Sequence, residues 1–267
     1  MTSQTKPLSI GIIGFGAIGR DLLSRLRRES DEMTVLLRPD SASRRIVPTS
    51  VRVVETLQDL LAVRPSIVVE AAGQGALETY GPDLLSAGIT VVAASTGALA
   101  DPKLFARLET AASAGGSRLV IPSGALGGLD YLAALRGTVD ARVRYTSRKP
   151  PAAWRQELVA RGYDADALTG EITLFEGTAA EAATLYPRNL NAGLTVALAA
   201  APSPVSVRVV ADPSVSLNTH EIEADSELGC AFMRFANRPS PDNPKTSALT
   251  AASLAAAVRR LAERVVV

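Results

Sequence analysis

A glycine-spaced hexapeptide, GFGAIG, occupies residues 14–19 directly after the apolar run Leu8–Ile13. It constrains the fold more than any other feature of the chain. The apolar run reads as a short strand buried on both faces, and a helix with a polar outer face is expected over Asp21–Arg28. Between them, Gly14 permits the tight turn, Gly16 lets backbone approach a pyrophosphate, and Gly19 lets the helix pack close to the strand. The helix start, with Ala17 and Ile18, then offers backbone N–H groups to phosphate oxygens. Standing alone, the spacing is only a tight turn. Between a strand and a helix it marks a dinucleotide site, with Gly14, Gly16, Ala17, Ile18 and Gly19 as the candidate contacts.

The rest of the first half supports that setting. Strands are expected at Thr34–Leu37, Ser66–Val69, Ile89–Ala93 and Arg118–Ile121. Helices are expected at Thr56–Ala62, Glu78–Ala87 and Pro102–Ala114, the last with Asp101 as its N-cap and proline at its first position. This alternation predicts an N-terminal Rossmann domain with a doubly wound parallel sheet. After Pro122 the pattern changes. The glycine-rich SGALGG leads into a helix. Ala141–Thr146, Glu171–Glu176, Val205–Ala211 and Ala231–Asn237 read as strands, with helices near Ala153–Arg161 and over Ala179–Ala201, broken at Pro187. A second α/β domain with a mixed sheet is therefore expected over 126–244, following a dinucleotide-binding domain over 1–125. Pro239–Pro244 reads as a connector. Thr246–Arg264 reads as an amphipathic helix, apolar at Leu249, Leu254, Val258 and Leu261, so that 245–267 packs back on the first domain.

At the end of the second strand an acidic residue would grip the ribose 2′-hydroxyl of NAD. The chain reads VLLRPD there. Arg38 stands at that place, and Arg44 and Arg45 follow, a set suited to the 2′-phosphate of NADP, although Asp40 remains within reach of a ribose. The expected cofactor is NADP or NAD, with a lean to NADP.

Composition excludes several classes. The 28 basic and 27 acidic residues leave a formal charge of +1, without the basic excess of a nucleic-acid binder. One cysteine forms no intrachain disulfide, and one histidine and one cysteine give no zinc set of those ligands. MTSQTKPLSI has no long apolar stretch and is no secretory signal. The apolar stretch Ala192–Ala201 is about half the roughly 20 residues of a spanning helix. A soluble cytoplasmic protein with no membrane partner is expected.

If the chemistry needs an imidazole near its working pH, His220 in NTHEIE must supply it. Glu221 beside it, or Asp212 upstream, is a candidate to hold the ring in one tautomer. Cys230 reads as a small buried residue rather than a nucleophile. Of the four lysines, Lys6, Lys103, Lys149 and Lys245, only Lys245 in NPKTS has a suggestive setting. Asn189 and Asn191 in YPRNLN can hold a carboxamide or a ribose, or merely serve a turn. SGALGG follows a strand of the parallel sheet, and ligands bind at the carboxyl ends of such strands.

GFGAIGR, VVEAAGQGALETYG, STGALAD, IPSGALGGLD, YPRNLN, NTHEIE and NPKTSALTAASLAAAVRRL, in this order over nearly the whole chain, resemble the L-aspartate dehydrogenase family. The resemblance implies a Rossmann domain followed by an α/β domain whose sheet serves dimerisation, and hence a homodimer. It implies oxidation of L-aspartate with NAD or NADP to iminoaspartate, hydrolysed reversibly to oxaloacetate and ammonia, in some members feeding NAD biosynthesis. His220 matches the family's catalytic histidine. Ala125 matches a cofactor-contacting alanine, and Asn191, or else Asn189, a cofactor-contacting asparagine. Arg38 departs from the acidic residue of many members, and Arg188 from a lysine often found before the first asparagine. The helix start near Gly177 and Thr178, Lys245 and backbone N–H groups near Ser123 are candidates to receive the substrate carboxylates. Two other readings compete: an imine reductase like dihydrodipicolinate reductase, and a non-catalytic NAD(P) sensor.

Overall fold

The computed structural model describes residues 8–26, 32–186 and 191–266. The chain divides into two units, one running to Gly124 and resuming at Thr250, the other spanning Ala125–Leu249.

The first unit alternates strand and helix: β1 (Ser9–Ile13), α1 (Ala17–Leu26), β2 (Glu32–Leu36), β3 (Arg52–Val54), α2 (Leu57–Val63), β4 (Ile67–Glu70), α3 (Gln74–Ser86), β5 (Thr90–Ala93), α4 (Pro102–Gly115) and β6 (Leu119–Val120). Its six strands lie in the order β3-β2-β1-β4-β5-β6, and every pairing is parallel. This is the doubly wound order, and the chain reverses direction across the sheet between β1 and β4. Central strands such as IVVE are buried at every residue, which explains their unbroken apolar runs. The helices start and stop on local chemistry. Thr56 caps α2 by accepting from the Asp59 N–H, and Asp101 caps α4 by accepting from the Lys103 N–H. Gly116 ends α4 in the left-handed region. The three-residue β3 is the one strand of this sheet absent from the sequence expectation.

The second unit contains α5 (Leu129–Ala134), β7 (Arg142–Lys149), α6 (Arg155–Val159), β8 (Ile172–Thr178), α7 (Ala179–Leu185), α8 (Asn191–Ala200), β9 (Val205–Ala211), β10 (Asn218–Ser226), β11 (Gly229–Asn237), β12 (Pro239–Ser240) and β13 (Asn243–Ser247). Five strands form a mixed sheet, β11-β10-β7-β9-β8, with only β7 and β9 parallel. Burial alternates along the strands. Val143, Tyr145, Ser147 and Lys149 of β7, with His220, Ile222 and Ala224 of β10, are buried, and α8 packs against β7 and β9. Arg142, Arg144, Glu223, Asp225, Phe232 and Arg234 line the opposite, open face. NTHEIE, left unassigned by sequence reading, is thus a strand. The expected proline-rich connector is a short hairpin of β12 and β13.

The last helix, α9 (Leu249–Arg260), joins the core of the first unit. Leu254, Ala255, Ala257 and Val258 pack with Ile10, Ile12, Leu22 and Val35. Leu254 and Val258 lie on its buried stripe as expected. Leu249 does not: it stands at the first position of the helix and is 42% exposed.

Candidate functional site

The glycines of GFGAIG have three different structural reasons. Gly14 has φ of +88°, and a Cβ there would stand 2.7 Å from that of Ala72. A Cβ on Gly19 would meet the Gly14 carbonyl oxygen at 2.4 Å, because α1 runs hard against the turn. Gly16 has no such neighbour within 4 Å, and its φ does not demand glycine. Nothing within the described fold requires glycine at 16, whereas close approach of a pyrophosphate does. Ala17 opens α1 and Ile18 is partly buried against the core beneath it. α1 starts directly after this open position at Gly16, and the first N–H groups of a helix have no partner within it, which suits them to phosphate oxygens. A groove of about 510 Å³ runs from Gly14, Phe15 and Gly16 past Ala72 and Gly75 to Arg38, Ser41 and Ser43.

One wall of this groove is held by a carboxylate that sequence reading passed over. Glu70 ends β4 and is fully buried. Its Oε1 accepts from the Ala72 N–H at 2.8 Å, the Gly73 N–H at 2.7 Å and the Ser95 hydroxyl at 3.1 Å, and its Oε2 accepts from the Ser95 N–H at 3.0 Å. Burial pushes the carboxyl pKa up, opposed by these hydrogen bonds. The loops after β4 and β5 are tied through this one side chain. The signal was an acidic residue closing an otherwise apolar strand, since a buried carboxylate must find donors.

Arg38 extends into solvent at the groove's far end, 4.0 Å from the equally exposed Asp40. Arg44 is taken up by Glu55, another residue of the groove. Arg45 is exposed.

In the second unit, His220 is 6% exposed and lies on the covered face of β10. Its Nδ1 is 2.8 Å from the Tyr145 hydroxyl, from β7 across the ladder. Burial, and then the charge of Lys149, push the imidazole pKa down to about 4, so the ring is neutral at pH 7. Tyr145 is itself fully buried, which drives its pKa well above the ordinary phenol range. The expected acidic partners do not reach the ring. Glu221 points to the opposite face, as β-strand alternation requires, and accepts from Arg148 Nε at 2.6 Å. Asp212 accepts from Arg148 Nη1 at 3.1 Å and from the Ser214 hydroxyl at 2.7 Å. A phenol orients this histidine, and the strand register that supplies it was not legible until β10 was seen as a strand.

Ala125 lies at the same corner of this unit. Its carbonyl accepts from Asn237 Nδ2 at 2.7 Å, and Asn237 pairs with Asn218, two residues before His220. Gly127 and Gly128 then cross the covered face. A Cβ on Gly127 would stand 3.0 Å from the Phe235 ring, and one on Gly128 2.1 Å from the Met233 sulfur. Phe235 is the cross-strand partner of His220. SGALGG is therefore pressed onto the sheet beside the histidine, which explains its glycines. Ser123 hydrogen-bonds Ser253 at 2.9 Å within the first unit. Asn191 is the exposed first residue of α8, while Asn189 and Arg188 lie outside the described residues, as does the side chain of Lys245. Thr178 caps α7 in a capping box with Glu181, and the Glu181 carboxylate takes both the Thr178 N–H and its hydroxyl. That helix start is satisfied from within. Cys230 is exposed on the open face, not buried as its residue type suggested.

An open parallel sheet in the doubly wound order, a glycine turn with one position left open for phosphate, and a buried neutral imidazole in a second unit define an NAD(P)-dependent oxidoreductase of two α/β units. A family profile described as the C-terminal region of aspartate dehydrogenase matches residues 130–261, and one described as the NAD-binding domain of homoserine dehydrogenase matches 14–122. An L-aspartate dehydrogenase 2 of Bordetella pertussis is 45% identical over 94% of this chain and 96% of its own. L-aspartate dehydrogenase of Ruegeria pomeroyi is 41% identical over 94% and 91%. The crystal structure of aspartate dehydrogenase from Thermotoga maritima superposes with a TM-score of 0.80 at 28% identity, over 98% of this chain and 100% of the other. The chain belongs to the L-aspartate dehydrogenase family. Among the described residues, no helix is long and apolar enough to cross a membrane.

Proposed function

We propose that the chain catalyses NAD(P)-linked oxidation of L-aspartate to iminoaspartate, which water converts to oxaloacetate and ammonia, with His220 as its acid–base residue. The observation that carries the reading is the chain's one imidazole, buried and neutral at the corner to which Asn237 ties Ala125. The family membership supplies the substrate. Gly14, Gly16, Ala17, Ile18 and Gly19 hold the dinucleotide phosphates, and Ala125 with Asn191 or Asn189 contacts the cofactor. Bound there, the nicotinamide supplies the two-electron acceptor for the hydrogen on the substrate's α-carbon.

The protein's own task is to manage protons. The substrate amine must be neutral when the α-carbon is oxidised, and water must lose a proton as it adds to the imine. For His220 Nε2 to accept a proton, Nδ1 must carry one and donate it to the Tyr145 oxygen, which the 2.8 Å contact permits. A ring held neutral by burial is a base at rest. The proton it gains then serves the departing ammonia.

Arg38, Ser41 and Ser43 end the groove with a cation and hydroxyls, and Arg44 offsets Glu55 there. That set favours the 2′-phosphate of NADP over the bare ribose of NAD. The second unit serves dimerisation through the open face of its sheet, where Phe232 is 64% exposed among charged side chains. A sheet face is normally covered by another layer, and a second copy would provide one. The exposed single cysteine suits the reducing cytoplasm, where we place the protein.

The test is steady-state oxidation of L-aspartate with NAD and NADP separately, for wild type and Arg38→Ala. Turnover with L-aspartate is expected, with kcat/KM for NADP above that for NAD and reduced by the substitution roughly tenfold or more, as for a lost charged hydrogen bond. Bound dinucleotide without turnover of L-aspartate would contradict the reading and favour an imine reductase or a sensor.

A further inference from the structure

Arg148 and Lys149 are consecutive residues of β7 with opposite fates. Arg148 turns to the open face, where Glu171, Asp212 and Glu221 surround it. Three carboxylates offset its charge there. Lys149 turns to the covered face with Ser147 and Tyr145, and is 7% exposed. Its ammonium stands 5.0 Å from the centre of the Trp154 ring, and its charge is felt at His220. Ser147 is the direct cross-strand neighbour of His220. Its hydroxyl, 1% exposed, lies near the Tyr145 phenol without hydrogen-bond geometry and has no partner among the described residues. The Trp154 indole N–H, also 1% exposed, has none either. A buried hydroxyl and a buried indole N–H are normally satisfied.

These groups are complementary to one kind of ligand. An ammonium, a hydroxyl and an indole N–H are all donors, and a carboxylate accepts from each. Ser147 lies across the ladder from His220, and Lys149 stands over the Trp154 ring with its charge felt at the imidazole. We propose that Lys149, with Ser147 and Trp154, receives a carboxylate of the dicarboxylic substrate and thereby sets it against His220. The identity of the dicarboxylate rests on the function proposed above, but the carboxylate site itself rests on these side chains. It replaces the Gly177–Thr178 helix start as the candidate, since Glu181 already occupies that end.

Trp154 is the chain's single tryptophan, so its emission reports on the site directly. The experiment titrates the full-length protein with succinate, a dicarboxylate that cannot be oxidised at an amine, and follows Trp154 fluorescence in wild type, Lys149→Met, Lys149→Arg and Ser147→Ala. KM for L-aspartate and dinucleotide Kd are measured on the same samples. A saturable emission change is expected in wild type, lost in Lys149→Met and partly retained in Lys149→Arg. KM for L-aspartate is expected to rise roughly 10- to 100-fold in Lys149→Met, the range for a lost charged hydrogen bond, with dinucleotide Kd unchanged. Ser147→Ala removes a single hydroxyl beside the Tyr145 phenol and is expected to fold as wild type and still raise KM. Wild-type succinate affinity or an unchanged KM in a Lys149→Met that still binds dinucleotide would overturn the proposal. So would absence of succinate binding to wild type. Succinate binding that depends on Lys149, without oxidation of L-aspartate, would overturn the proposed activity and leave the carboxylate site standing.

Discussion

His220 illustrates how one buried side chain couples stability to pH. Its folded pKa is about 4, against an ordinary value of 6.5. Between these values the unfolded chain binds a proton that the folded one refuses. Stability is therefore complete above pH 6.5 and falls as pH drops toward 4, by at most about 3 kcal/mol for 2.5 units. Thermal unfolding of wild type and His220→Gln across pH 4–7 checks this. The variant is expected to lose less stability on acidification, and parallel curves would show that the ring titrates normally in the fold. Residue type alone pointed to His220 as the candidate base. It did not point to Tyr145, Lys149 or Ser147, because their common face emerges only once β7 and β10 are paired in register. Nor did it give Glu221 its true role: adjacency in sequence within a strand places neighbours on opposite faces, and Glu221 serves Arg148.

At the level of elements, the glycine turn was legible because each glycine answers a local demand that sequence spacing encodes. The structure separates those demands. Gly19→Ala drives a Cβ into the Gly14 carbonyl at 2.4 Å and is expected to cost roughly 1–3 kcal/mol or more, as overpacking does. Gly16→Ala meets open space and is expected to change stability by no more than about 0.5 kcal/mol, while weakening dinucleotide binding roughly tenfold by blocking the close backbone approach. Urea unfolding and dinucleotide titration of both variants distinguish the two effects. Equal loss of stability in both would mean the turn is merely structural at Gly16 as well. β3 escaped the sequence reading because RVV is too short to carry a period. β10 escaped because NTHEIEADS carries polar side chains at buried positions on both of its faces, His220 on the covered one and Thr219, opposite Arg148, on the other. Functional strands break the apolar pattern by which strands are recognised.

For the whole molecule, the doubly wound parallel sheet followed from the alternation of apolar runs and caps, and the mixed second sheet from the change of pattern after Pro122; the strand order itself came only with the structure. The helix α9 was legible as an amphipathic stripe, and it fills the core of the first unit with Leu254 and Val258. The open face of the second sheet was not legible, since Arg142, Arg144 and Glu223 read as ordinary solvated strand residues. Light scattering across a dilution series is expected to give twice the chain mass of 27.8 kDa. Phe232→Arg places further charge on that face at the edge strand β11 and is expected to shift the mass toward the monomer. A monomeric wild type would contradict the dimer.

The central claim is that L-aspartate is oxidised with His220 as the acid–base group. It is tested most directly by initial rates with L-aspartate and NADP for wild type and His220→Ala, each shown by titration to bind the dinucleotide equally. The expected result is a kcat about 10²- to 10⁴-fold lower in the variant, the size of a general acid–base contribution. A variant as fast as wild type would contradict the claim.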